Sequence, residues 1–210
     1  MWVGVDVGAK RKGFDVALID DRRLLALRGG LTREGVIELV QGARPAVVAI
    51  DSPRSCARDG ARARDGERRL NKAICGIRWT PDARHVHASS YYGWIVEGFG
   101  LFEALASRGI EAIEVFPTAS WTRWLGKRAS QTRSSWSSEG LRILGLEGAP
   151  IRCNQDQRDA IAAAVTARLH TNGRTEMFGE IVVPLSSTRD ALGNFSSPRR
   201  DLDNAPMAAP

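Results

Sequence analysis

Apolar and polar positions alternate in short runs at the start of the chain and give way to helical spacings further on. Residues 3–8 (Val-Gly-Val-Asp-Val-Gly), 13–19 and 23–27 read as three short β-strands, with Asp20-Asp21 as the turn between the second and third. Strands this close together leave no room for helical crossovers, so they are expected to run antiparallel. Thr32 then stands as an N-cap ahead of Val36, Leu39 and Val40 at helical spacing. After Pro45 the unbroken apolar run 46–50 predicts a strand buried on both faces, ending at Asp51-Ser52-Pro53. Residues 93–107 predict a helix that buries Trp94, Ile95, Phe99, Leu101, Phe102 and Leu105, and 112–117 another core strand closed by Pro117. Residues 154–170 predict a helix opened by an Asn154/Gln157 capping box, and 181–184 a last strand.

Between these elements the character changes. Residues 54–84 interleave nine Lys and Arg with Gly and few large apolar side chains, which reads as a mobile or partly helical excursion. Residues 120–146 carry Trp121, Trp124 and Trp136 on what reads as a helical insertion, the tryptophans most simply core anchors, alternatively an exposed partner surface. The expected organisation is one domain over 1–184 with insertions at about 54–90 and 118–150, followed by a disordered tail over 185–210, rich in Ser, Pro, Asn, Asp and Ala. Three antiparallel strands followed by alternating helices and strands define an α/β architecture, a mixed sheet with helices on its faces.

Composition narrows the class without naming the chemistry. In 210 residues, 43% hydrophobic and 26% charged content exclude collagenous, coiled-coil and wholly disordered chains. No apolar run approaches the ~20 residues of a membrane helix and no basic leader precedes the first strand, so the expectation is a cytoplasmic protein without a membrane partner. Cys56, Cys75 and Cys153 show no paired spacing, which argues against a disulfide framework or a zinc site. Thirty Lys and Arg against twenty-four Asp and Glu leave a net charge of +6. The 54–84 segment, with nine cations and four acids, supplies a surplus of five, emerging directly after Asp51. A polyanionic partner, nucleic acid, follows as the expectation.

The acids carry the chemistry. Asp6 lies inside a Val-rich strand, where Asp is disfavoured. Asp51 ends a run of five apolar residues, and Asp156 and Asp159 sit three apart, on one face of the last helix. Ala163 and Ala167 continue that face and allow it to approach the sheet closely. Carboxylates converging there repel one another unless a cation joins them, and oxygen-only ligands suit a hard ion, Mg²⁺ or Mn²⁺. Two such ions activate a water and stabilise the leaving oxygen in phosphodiester hydrolysis. Structural roles stand beside this reading: Asp156 as a helix-start acid, Asp51 as a turn acid, Glu114 as a strand-end acid or a fifth ligand, and Glu67 as a surface ion-pair partner.

The order of short motifs resembles the domain-of-unknown-function 429 family. It runs through Gly4-Val5-Asp6-Val7-Gly8, Phe14-Asp15-Val16-Ala17, Ala49-Ile50-Asp51-Ser52-Pro53 and Glu67-Arg68 ahead of Gly76-Ile77-Arg78-Trp79-Thr80-Pro81. It continues through Glu114-Val115-Phe116-Pro117, Asp156-Gln157-Arg158-Asp159-Ala160 and Ile181-Val182-Val183-Pro184. That family is described as predicted nucleases of ribonuclease-H-like fold, and its Asp-x-x-Asp-Ala pattern is similar to that of Holliday-junction resolvases. The resemblance implies a ribonuclease-H-like mixed sheet and metal-dependent phosphodiester cleavage with Asp6, Asp51, Asp156 and Asp159 as catalytic acids. Asp6, Asp51 and Asp159 are then the metal ligands, while Lys10, Arg54, Arg68 and Lys72 are candidates for contacts to substrate phosphate.

Two other classes compete. The Asp-x-Gly turn with Lys10 is similar to the first phosphate-binding hairpin of actin-like kinases, but no second such turn follows and the chain is short for a two-domain nucleotide cleft. A catalytically silent nucleic-acid-binding module would use the basic segment with Trp79, Tyr91, Tyr92 and Trp94 as stacking platforms, the plainer alternative being a solvated loop over core aromatics. His85-x-His87 offers a metal pair on a strand or, more simply, a loop pair, and the cysteines lack a neighbouring base.

Overall fold

The structure, a computed structural model, describes residues 1–9 and 11–186; Lys10 and the tail expected after residue 186 lie outside the described residues. Strands β1 (Trp2–Val7), β2 (Phe14–Ile19) and β3 (Leu24–Leu31) form an antiparallel meander, with Asp20 turning the chain by accepting the amides of Arg22 and Arg23 at 2.9 and 2.7 Å. Helix α1 (Arg33–Ala43) starts at Thr32, whose hydroxyl accepts the Gly35 amide, as the N-cap pattern predicts. It leads to β4 (Val48–Asp51), parallel to β1. Then follow α2 (Asp65–Ala73), α3 (Ala83–Ala88), α4 (Gly93–Ala106), β5 (Ala112–Val115), α5 (Pro117–Leu125), α6 (Arg133–Leu144), α7 (Gln155–Thr171), β6 (Thr175–Phe178) and β7 (Ile181–Pro184).

Among the described residues the strands make one sheet in the order β3-β2-β1-β4-β5-β7-β6. Its antiparallel edge followed by parallel strands, with helices on both faces, is the mixed α/β arrangement expected from the sequence. On one face Val3, Val5, Phe14, Val16, Val48 and Ile50 pack against Val36 and Val40 of α1 and Leu101, Phe102 and Leu105 of α4. On the other, Ala17, Ile19, Ala49 and Ile113 lie under α7, which α5 and α6 cover in turn through Trp121, Trp124, Trp136 and Leu144. The three tryptophans are core anchors, each at most 4% exposed.

Helix α7 is buried on all sides from Arg158 to Leu169, and its closest approach to the sheet is at Gly4. A Cβ there would lie 2.1 Å from the Ala160 carbonyl oxygen and 2.2 Å from the Ala164 amide nitrogen. Ala160, Ala163, Ala164 and Ala167 are all fully buried, so the small-residue face does bring the helix down onto the strands.

Of the two readings of the 54–84 segment, mobile or partly helical, the helical one matches α2. Leu70 on α2 and Ile74 at its C-cap are buried against Ala119, Ile181 and Val183. Glu67 is not the surface partner that its setting suggests. It is fully buried, accepting the backbone amide and Nε of Arg64 at 3.0 and 2.9 Å and the Thr80 amide at 3.0 Å. Strand β6 escapes sequence reading because it is four residues long, lies at the sheet edge and lacks alternating burial.

The Gly4–α7 contact supplies a test of the packing. Because the atoms a methyl group would strike belong to the α7 backbone, Gly4→Ala should destabilise the fold by about 3 kcal/mol. Urea unfolding would show this as a lower midpoint with an unchanged slope, whereas a change below about 0.5 kcal/mol would contradict the described approach.

Candidate metal centre

Strand register builds the site. Asp6 on β1 is paired with Asp51 on the parallel β4 and with Asp15 on the antiparallel β2, so three carboxylates stand in one row across adjacent strands on the face that α7 covers. Helix α7 begins over this row. Its capping box holds the N-terminus, the Gln157 amide donating to Asn154 Oδ1 at 2.8 Å and the Asn154 amide to Gln157 Oε1 at 3.2 Å. Asp156 and Asp159, in the first turns, project toward the row.

Asp6, Asp51, Asp156 and Asp159 all line one cleft of about 550 Å³. Asp6, Asp15 and Asp156 each offer an oxygen within 4.8 Å of the others. Asp159 is differently held: Trp121 Nε1 donates to its Oδ1 at 2.8 Å, Arg133 Nη2 to its Oδ2 at 2.7 Å, and Gln155 Nε2 to both oxygens at 3.0 Å. Lys12, in the β1–β2 turn, forms an ion pair with Asp156.

This crowding shows in the protonation of the acids. Burial, then the charges of Asp159 and Asp156, push Asp6 up to about 8, with Lys12 only partly offsetting them. Asp51 is pushed well above the carboxylate range by burial and then by Asp6 and Asp159. Burial and Asp156 raise Asp15, and burial raises Asp159 against the opposing pull of Arg133, Trp121 and Gln155. Burial works to lower the Lys12 ammonium, but Asp156, Asp6 and Asp15 outweigh it and leave it above its ordinary value. A cluster of buried carboxylates that cannot all ionise, offering oxygen donors, fits a hard divalent cation. Asp6 stands at the middle of the row.

Of the candidate phosphate contacts, Arg54, Arg68 and Lys72 do not line this cleft. The Arg54 guanidinium donates to the Ala112 carbonyl at 2.9 Å and lies 5.3 Å from the centre of the Phe102 ring. Arg68 stacks on Trp79 beside a neighbouring cavity of about 570 Å³, and Lys72 is exposed on α2 without lining the acid cleft. Lys10 is outside the described residues. The cations that do line the cleft are Lys12, Arg64, Arg78, Arg128 and Arg133. Arg64 is itself held between Glu67 and Glu114, so Glu114, 3% exposed and also accepting the Arg54 amide at 2.8 Å, is part of a buried ion-pair triad. His85 lies on α3, not on a strand, with Nδ1 2.7 Å from Asp82 Oδ1. Burial raises all three cysteine thiols, which leaves them poor nucleophiles.

Asp15 and Lys12 were missed as site residues, and Asp15 carried a readable signal. Like Asp6 it interrupts an apolar strand, and the hairpin places it directly opposite. Nothing in the spacing marks Arg133, which reaches the cleft from the start of α6.

A mixed sheet with a carboxylate row at the mouth of a cation-edged cleft thus defines the class: an α/β protein with an acidic site. The chain belongs to the family described as protein of unknown function (DUF429), which matches residues 4–181. No curated protein matches it. Solved structures similar to it include Thermus thermophilus RuvC, at 19% identity and TM-score 0.48 over 87% of this chain and 98% of that one, and T. thermophilus RuvC in complex with Holliday junction substrate. The latter has 18% identity and TM-score 0.49 over 88% of this chain and 100% of that one. No helix among the described residues is long and apolar enough to cross a membrane.

The raised carboxyls make stability depend on pH in a definite direction. The folded protein holds protons that the unfolded chain has released, so metal-free stability falls as pH rises from the ordinary carboxylate range through about 8, by about 1.4 kcal/mol per unit that Asp6 is raised. Thermal melts at about pH 5 and about pH 8 should show the loss, Mn²⁺ should restore stability at the higher pH, and Asp6→Asn should flatten the dependence. Equal melting temperatures for the parent at both values would contradict the described crowding.

Proposed function

We propose that this protein is a divalent-cation-dependent nuclease that hydrolyses phosphodiesters of DNA or RNA. The observation that carries it is the Asp51–Asp6–Asp15 row faced by Asp156 and Asp159 in a cleft edged by Lys12, Arg78, Arg128 and Arg133. When bound, Mg²⁺ or Mn²⁺ supplies charge neutralisation at the scissile phosphate and acidifies water. Asp6, Asp51 and Asp159 would hold it, Asp6 centrally and the other two on the β4 side, with Asp156 and Asp15 on the β2 side.

The chain's own groups do the remaining work. The indole N–H of Trp121 and the side-chain amide of Gln155 fix the Asp159 carboxylate, so its orientation does not depend on the cation. Lys12 and Arg133, both about half exposed, reach from the rim to where a phosphate backbone would lie. Arg78 and Trp94 line the same cleft and would contact a neighbouring nucleotide.

A silent binding module is the second reading, favoured by the exposed Arg68–Trp79 and Arg78–Tyr91 stacks outside the acid row. The actin-like reading needs a second domain, and the described residues hold one sheet.

Incubation with single-stranded, duplex and branched DNA and with RNA separates these readings. Cleavage should require Mg²⁺ or Mn²⁺, stop with chelator, and fall by about a hundredfold or more in Asp6→Asn, while gel-shift binding persists. Binding without cleavage by the parent under every cation condition would leave the module reading, and cleavage that survives in Asp6→Asn would remove the acid row from the chemistry.

A further inference from the structure

Arg133 is out of place for the helix that carries it. It is the first residue of α6, where the helix dipole disfavours a cation, and the helix start is already capped by Thr132, whose hydroxyl accepts the Ser135 amide at 3.1 Å. Its guanidinium instead reaches into the cleft and donates to Asp159 Oδ2 at 2.7 Å, with a long contact to Thr118 Oγ1 at 3.4 Å. The other two donors to Asp159 are built in. Trp121 is fully buried, and the Gln155 side-chain oxygen is tied to Ser137 and Arg158 at 3.0 and 3.1 Å. Arg133 has a side chain 49% exposed and no comparable brace, facing an Asp159 that is 2% exposed.

Gln155 Nε2 also donates to Oδ2 at 3.0 Å, so with the guanidinium there both lone pairs of that oxygen are taken. A cation bound by it would meet a like charge and has to displace Arg133. We propose that Arg133 is a positioning residue that gates cation binding: it holds Asp159 in the resting protein and transfers to an incoming phosphate, which frees Oδ2 for a divalent ion. Arginine suits both halves of this exchange, since its planar fork matches carboxylate and phosphate alike. The phosphate half rests on the nuclease reading; the cation half does not.

Mn²⁺ titrated into the full-length protein, followed by calorimetry or by the spectrum of the free ion, reads the cation half directly. Arg133→Gln should bind Mn²⁺ about fivefold tighter or more, the lower end of ordinary coupling between sites. If Arg133 merely braced Asp159, its removal would weaken Mn²⁺ binding; that result, or no change, overturns the proposal. Arg133→Lys, which keeps the charge on a compact ammonium, should fall between the parent and Arg133→Gln, and serves if the glutamine variant does not fold. A short phosphorothioate oligonucleotide should raise Mn²⁺ affinity in the parent and not in Arg133→Gln, and absence of that increment overturns the exchange with phosphate. Absence of cleavage together with tighter Mn²⁺ binding by Arg133→Gln would overturn the nuclease reading and leave the cation gate standing.

Discussion

The contact on which the site depends is the seating of α7 against β1 at Gly4. Backbone meets backbone there, with the Ala160 carbonyl and the Ala164 amide where a side chain would otherwise stand. The approach fixes the height of the whole helix, because a helix held at one turn by rigid backbone and buried on every side has little freedom elsewhere. Asp156 and Asp159 lie less than two turns before Ala163, so their position over the strand row follows from that seating and from the Asn154/Gln157 cap. A Cβ on Gly29 would likewise lie 2.8 Å from Asp15 Oδ1, so the sheet leaves room for that carboxylate at the end of the row.

Bringing acids together in this way creates an electrostatic problem, which the fold answers in two ways. Glu67 and Glu114 share Arg64, whose side chain is only 10% exposed and donates to both, so that one fixed internal cation faces two buried carboxylates. Removing one partner would leave an uncompensated buried charge, and the triad therefore reads as a fixed structural joint between α2 and β5. The acids of the row are only partly compensated. Lys12 and Arg133 pair with Asp156 and Asp159 from the rim with side chains about half exposed, and Asp6 and Asp51 remain raised in spite of them. Internal cations that are exposed, singly tethered and insufficient in number are the kind that an external ion can replace.

Much of the fold was legible because its signals were local. The hairpin spacing, the Thr32 and Asn154/Gln157 caps and the apolar run 46–50 depend on neighbours in sequence, and each matches an observed element. Asp6, Asp51, Asp156 and Asp159 were readable for the same reason, each breaking a local pattern, and all four line one cleft. The 54–84 segment was legible only as mobile or partly helical, because its order comes from distant partners. Leu70 packs on Ile181 and Val183, and Arg64 pairs with Glu114, fifty residues further along. Asp15 fell between these cases: its own strand disfavours it, but only the hairpin register sets it beside Asp6.

Net charge in a segment is a poor guide to where an anion binds, since what matters is which cations lack an internal partner. The surplus after Asp51 suggested that this stretch supplies the phosphate contacts. In the fold Arg54 donates to the Ala112 carbonyl, Arg58 pairs with Asp65 at 2.7 Å, Arg64 is buried between two glutamates and Arg68 lies on Trp79. Of that stretch's cations only Arg64 and Arg78 line the acid cleft, and the cleft's other cations are Lys12 in the first hairpin and Arg128 and Arg133 around the start of α6. They come from three separate parts of the chain, so under the nuclease reading a run of phosphates crossing the cleft would meet cations from each of them.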